Sequence, residues 1–175
     1  MRTTDRDARS ALSFWNGLIP KIDALLETQT RIIYPGSKDP YYQWFMELES
    51  GAFRAELRYS SEELEERLAN EDLLFFFIAS SGGREAVVLA YEDPDNPNSA
   101  LYLDTIAVKS TGRGLGSLLM RALIDYAKAK SYLLIRLDTE QVNEKGQQLV
   151  RFYQSLGFHE TDSTEDGNIS MELRI

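Results

Sequence analysis

Ser110 to Met120 reads STGRGLGSLLM, with glycines at three alternate positions. The stretch lies between an apolar strand-like run, Ala100 to Val108, and a run at helical spacing, Ser117 to Lys130. A further strand-like run, Tyr132 to Asp138, follows. Strand, loop, helix and strand in that order make a crossover, which sets the two strands parallel in one sheet. A helix that starts after a strand leaves unpaired N–H groups and the positive end of its dipole at the loop. Glycine there lets a bulky anion approach the backbone, so the loop is read as a phosphate cradle.

The rest of the chain fits around that crossover. Leu73 to Ala79 and Ala86 to Tyr91 are β-prone and parted by turn residues, and the turn-rich EDPDNPNS leads into Ala100. The expected sheet is therefore mixed, antiparallel first and parallel between Ala100–Val108 and Tyr132–Asp138, with helices flanking it: an α/β fold. Along Ala100–Val108, alternation puts Tyr102, Asp104 and Ile106 on one face. A helix from about Lys145 to Leu156 and strands near Gly157–Glu160 and Ile169–Arg174 complete the chain. Upstream, RIIY (Arg31 to Tyr34) reads as a short strand, Pro40 opens a helix, and Ser60 or Ser61 caps another. Ahead of these, Leu12, Phe14, Trp15, Leu18, Ile19, Ile22, Leu25 and Leu26 recur at helical spacing. Gly17 and Pro20 interrupt them, which gives one kinked helix or two short ones.

Composition bounds the chemistry. At 175 residues the chain has the length of one domain. It has no cysteine and one histidine, His159, which leaves out thiolate metal sites and cysteine nucleophiles; no metal is expected. A net charge of -9 repels phosphate backbones and anionic lipid, so neither nucleic acid nor a membrane is an expected partner. The charge suits a cationic partner, or merely keeps the chain soluble. No apolar run is long enough to span a bilayer, MRTTDRDARS lacks a signal-peptide core, and a cytoplasmic protein is expected.

Two familiar phosphate motifs fail. From Gly112 or Gly114 the sixth place is Ser117 or Leu119, which breaks the dinucleotide fingerprint, and no lysine follows the loop as Walker A requires. Asp138 ends a strand as a ribose-binding acid would, but too little chain remains for a doubly wound sheet.

YLDTIAVKSTGRGLGSLLMRALIDYAK, followed after one strand by FYQSLGF (Phe152 to Phe158), resembles the GNAT superfamily of acyl-CoA-dependent N-acetyltransferases. The resemblance covers residues 29–175 as one acetyltransferase domain and leaves 1–28 as a helical extension. It implies the GNAT sheet, with a parallel pair that splays, and acetyl-CoA as co-substrate. It further implies that Thr111, Gly112, Arg113, Gly114, Leu115, Gly116 and Ser117 hold the diphosphate. The backbone of Ile106, Ala107 and Val108 pairs with pantetheine, and Asn143 hydrogen-bonds it. Thr111 stands where the family usually has Arg or Gln, the loop is shorter than usual, and Arg113 is the replacement cation. Glu144 to Gly146 looks inserted after Asn143.

Acetyl transfer to an amine needs a neutral nucleophile and a protonated leaving thiol. Tyr153 is the implied acid, its phenol being protonated at neutral pH. The same spacing suits a tyrosine that packs its ring on the sheet. Asp104 and Asp138 each match acidic positions proposed as bases in relatives, and a water chain is the alternative to both.

The sequence thus reads as an acyltransferase moving acetyl from acetyl-CoA to a primary amine by direct attack in a ternary complex. The acceptor is either a small cationic amine or a peptide or protein amine. Alternatives are a catalytically inactive CoA-binding sensor or scaffold of the same fold, and a domain using the loop for another phosphate ligand. EELEERL reads as a solvated helix face, Phe75 to Phe77 as core, and His159 as an exposed residue without a role. The helical segment around Phe14 and Trp15 is a lid over the acceptor site or a homodimer surface.

Overall fold

The computed structural model describes residues 5–52, 58–142, 146–163 and 167–175. Its strands are β1 (Thr30–Ile33), β2 (Leu74–Ser80), β3 (Gly83–Glu92), β4 (Ala100–Val108), β5 (Leu134–Thr139), β6 (His159–Ser163) and β7 (Ile169–Arg174). They form one sheet in the order β1-β2-β3-β4-β5-β7-β6, in which β4 and β5 are the parallel pair.

Helices cover both faces. On one lie α1 (Asp5–Asn16), α2 (Ile19–Leu26), α5 (Leu115–Ala129) and α6 (Leu149–Ser155); on the other lie α3 (Tyr41–Ala52) and α4 (Ser61–Leu68). This double cover explains the unbroken apolar run of β2. Leu74, Phe76 and Ile78 enter the first layer while Phe75 and Phe77 enter the second, so every residue of the run is core.

The N-terminal segment is two helices, broken around Gly17, and Pro20 sits in the first turn of α2, where its missing N–H costs nothing. Trp15 is fully buried, its ring 4.8 Å from Phe76 and 5.6 Å from Tyr126 of α5. Ile22 and Leu26 join the same cluster. These helices complete one layer of the core, and among the described residues none of theirs lines the cleft described below.

Two departures from simple periodicity matter for the site. Ala90 pairs with Leu103 and Leu89 with Thr105, so Asp104 is an extra residue bulged out of the β3 ladder. The bulge reverses the alternation that put Tyr102, Asp104 and Ile106 together. Tyr102 and Ala107 meet the α3/α4 layer, whereas Leu103, Ile106 and Val108 meet the α5/α6 layer. Second, β4 pairs with β5 only from Ala100 to Leu103. Beyond it the strands diverge, and Asp104 to Val108 have no β5 partner.

Helix boundaries also differ from the sequence reading. α5 begins at Leu115, two residues before Ser117. α6 begins at Leu149, well after Lys145, and Gln148 just before it bridges to Val142. No described helix is long and apolar enough to cross a membrane.

Candidate active site

The split between β4 and β5 opens into a cleft of about 700 Å³. Its floor is the free half of β4, where the ladder groups that β5 would have used face the opening. The glycine loop stands at one end. Gly112 and Gly114 hold φ of 79° and 87°, the left-handed region that glycine enters without strain. A Cβ added at Gly112 or Gly116 would meet nothing within 4 Å, so bare backbone faces open space. The first α5 hydrogen bond runs from the Leu118 N–H to the Gly114 carbonyl at 3.0 Å. The N–H groups of Leu115, Gly116 and Ser117 precede it at the cleft, beside the hydroxyls of Ser110 and Thr111. This donor set fits the diphosphate of CoA, which needs many N–H and O–H donors at a positive dipole end.

Arg113 departs from its expected place. It is the one residue from Ser110 to Ser117 that does not line the cleft, and its guanidinium donates to the Leu25 carbonyl of α2 at 3.4 Å. Asn143 lies outside the described residues. Ile106, Ala107, Val108, Asp104, Asp138 and Tyr153 all line the cleft.

Tyr153 reaches the cleft from α6 and is otherwise buried, its ring 5.2 Å from Phe152 and 5.8 Å from Phe158. Burial pushes its phenol up to about 12, so the proton stays on at any physiological pH.

Asp104 projects to the opposite side, towards α3 and α4. Its side chain is 2% exposed, and the Tyr59, Tyr91 and Thr105 hydroxyls donate to it at 2.9, 2.7 and 2.8 Å. Arg67 Nε adds a 3.5 Å ion pair. Burial, then the charge of Asp104, raises the Tyr59 and Tyr91 phenols, which makes both firm donors. Asp138 accepts from Tyr102 at 2.8 Å and from the Ser170 hydroxyl.

Sequence reading overlooked Glu49, which lines the cleft from α3 and is 1% exposed. Its two oxygens share the Tyr59 N–H at 3.3 Å each. Burial pushes its carboxyl up to about 7; the Tyr59 N–H opposes the rise, Asp104 adds to it, Arg58 opposes and Glu63 adds. The signal was present: Phe45, Leu48 and Glu49 are the buried positions of α3, and a carboxylate on an apolar stripe needs a reason. His159 is exposed, 3.6 Å from Glu172 and away from the cleft. Among the described residues, no group of three His, Cys, Asp or Glu is placed to hold a metal ion.

Residues 38–158 match the profile of the Acetyltransferase (GNAT) family. A search of curated protein sequences gave no match. Among solved structures, the Escherichia coli ribosomal-protein-S18-alanine N-acetyltransferase is 23% identical with a TM-score of 0.64, over 84% of this chain and 94% of that one. A GNAT family acetyltransferase from Elizabethkingia anophelis, solved with acetyl-CoA bound, is 18% identical (TM-score 0.60, 84% of this chain, 97% of that one). An aminoglycoside 6'-N-acetyltransferase complexed with coenzyme A is 15% identical (TM-score 0.64, 82% and 96%). At these identities the likeness speaks for the fold.

Proposed function

The chain belongs to the GNAT acetyltransferase family and is an acyltransferase, and from that premise we propose that it moves acetyl from acetyl-CoA to a primary amine by direct attack in a ternary complex. The observation that carries this reading is the division of the cleft. The donor-rich loop and Tyr153 belong to the α5/α6 layer, the acidic groups to the α3/α4 layer, and the unpaired half of β4 lies between them.

Each wall then has one task. The loop N–H groups hold the diphosphate, and the free β4 backbone aligns pantetheine as an added strand would be aligned. A β4 N–H faces the charge that builds on the thioester oxygen. As the amine nitrogen forms its bond to the carbonyl carbon and the C–S bond breaks, Tyr153 gives its phenolic proton to the sulfur. Without cysteine, the chain supplies no thiol for an acyl-enzyme, which favours direct transfer. Asp104, with three hydroxyls and Arg67 on its carboxylate, serves in this reading as a fixed anchor for Tyr59 and Tyr91. Asp138 holds Tyr102 at the mouth.

The acceptor we propose is a cationic amine. Among the described lining residues, Glu49, Glu63, Asp104, Asp138 and Glu140 outnumber the one cation, Arg58, so the acceptor end carries negative potential. Titration calorimetry with acetyl-CoA, repeated on Gly114→Glu, is the test, followed by a transfer assay with amines. Micromolar binding by the wild type, lost in the variant, is expected. A folded wild type that binds no acetyl-CoA would end the reading.

A further inference from the structure

The cleft needs a group to take protons from the amine, and its carboxylates differ in how many hydrogen-bond donors they already hold. Asp104 is saturated by three hydroxyls and Arg67, and Asp138 holds Tyr102 and Ser170. Glu63 accepts the Ser60 N–H at 2.7 Å in the capping box of α4. Among the described residues, Glu49 makes only a long, shared contact with the Tyr59 N–H, at 3.3 Å to each oxygen, and it lines the cleft.

Position agrees with chemistry. Tyr59 is spanned by two carboxylates, its N–H on Glu49 and its hydroxyl on Asp104, so the bridge fixes Glu49 at the acceptor end of the cleft. The segment before α4 also carries Arg58, α4 carries Glu63, and β4 carries Asp104; these charged groups, with the Tyr59 N–H, surround Glu49.

Resting on the acetyl-transfer reading, we propose that Glu49 is the proton acceptor for the incoming amine, which binds as an ammonium ion. One N–H bond of the ammonium breaks, its electron pair stays on nitrogen, and the proton goes to the Glu49 carboxylate directly or through one water. That lone pair forms the C–N bond. The second proton, released from nitrogen as the C–S bond breaks, returns through solvent to Tyr153, which has protonated the sulfur. Glu49 sheds its proton to solvent before the next turnover. A carboxyl that titrates near neutrality suits this cycle, since it is ionised when the amine arrives and still basic enough to take the proton.

The test combines a direct titration with kinetics. Carbon-13 NMR of the glutamate carboxyls, assigned by the signal missing in E49Q, is expected to show one wild-type group with its midpoint near pH 7; a Glu49 midpoint below about 5 overturns the proposal. With spermidine and a free-amine pentapeptide as acceptors, wild-type kcat/KM should fall below pH 7 through that group. E49Q should lower kcat at least about 100-fold and abolish the limb, with acetyl-CoA affinity within about twofold of wild type. E49D, which keeps the acid but withdraws it, should retain the limb at reduced kcat. A role limited to holding Tyr59 would lower the rate and leave the limb in place, which overturns the assignment, as does an E49Q that turns over like wild type. A wild type that binds acetyl-CoA and acetylates neither amine overturns the acetyl-transfer reading itself, and is recognised because the wild type, not the variant, fails.

Discussion

The Tyr59 hydroxyl donates to Asp104 at 2.9 Å across 45 positions of sequence, tying the segment before α4 to the bulge of β4. Tyr91 and Thr105 donate to the same carboxylate and Arg67, itself 39% exposed, pairs with it, so Asp104→Ala strands three hydroxyls and removes the partner of a solvent-accessible cation. Each unsatisfied donor costs about 1–3 kcal/mol, and a combined loss of about 3–5 kcal/mol is expected. For a chain of this length that lowers Tm by roughly 10 °C. Tyr59→Phe, which removes one donor and keeps the ring, should lower it by a few degrees. Differential scanning calorimetry decides; an Asp104→Ala protein melting within about 2 °C of wild type would show that the network holds nothing together.

Glu49 gives a stability effect with a definite sign. Its folded-state value, about 7, lies above its unfolded value of about 4.3, so the folded state disfavours the charged form. The penalty is absent below the unfolded value, grows as pH rises towards 7, and is constant above it. Because Glu49 is 1% exposed, solvent screening is slight, and the penalty at pH 8 is about 3–4 kcal/mol. Glu49→Gln should therefore melt higher than wild type at pH 8, with the gap closing towards pH 4. Thermal melts across that range are the check, and a gap independent of pH would mean that Glu49 does not titrate in the folded state.

Tyr153→Phe isolates the hydroxyl, since the ring contacts with Phe152 and Phe158 are kept. Loss of a positioned acid costs about 10² to 10⁴ in rate, so kcat should fall by that factor while the acetyl-CoA dissociation constant stays within about twofold. The phenol, pushed up to about 12 by burial, should impose no fall in wild-type rate below pH 10. Steady-state rates and calorimetric affinity on the same preparations separate the two quantities. Unchanged kcat in the variant would reduce Tyr153 to a packing residue.

The parts of this molecule written in local pattern were legible. Strand and helix spacing with the glycine loop predicted the mixed sheet, and FYQSLGF placed Tyr153 in the cleft. Features that depend on contacts between distant segments were not. An extra residue at Asp104 leaves no Gly or Pro mark, so alternation set Ile106 on the wrong face. The aim of Arg113 is decided by Leu25, 88 positions away. Glu49 was half legible: its place on the apolar stripe of α3 follows from spacing, but its role depends on Tyr59 and Asp104, which only the fold brings near.

The N-terminal helices bear on whether residues 29–175 stand alone. Trp15, Ile22 and Leu26 share one cluster with Phe76 of β2 and Tyr126 of α5, and Leu25 Cδ1 lies 3.7 Å from where a Gly114 Cβ would be. A segment with its own stability would keep its apolar groups to itself; this one covers part of the sheet and packs against the glycine loop. Trp15→Ala should cost about 3–5 kcal/mol, lowering Tm by roughly 10 °C in a single transition. Leu25→Ala should leave kcat at saturation intact and weaken acetyl-CoA binding severalfold, because the loop loses its backstop while the reacting groups keep theirs. The deciding preparation is residues 29–175 alone. If that fragment melts within about 2 °C of the whole chain, the extension is a separate appendage. If it melts far lower or fails to fold, residues 5–26 are part of the domain's core, and the boundary drawn from the sequence divides one cooperative unit.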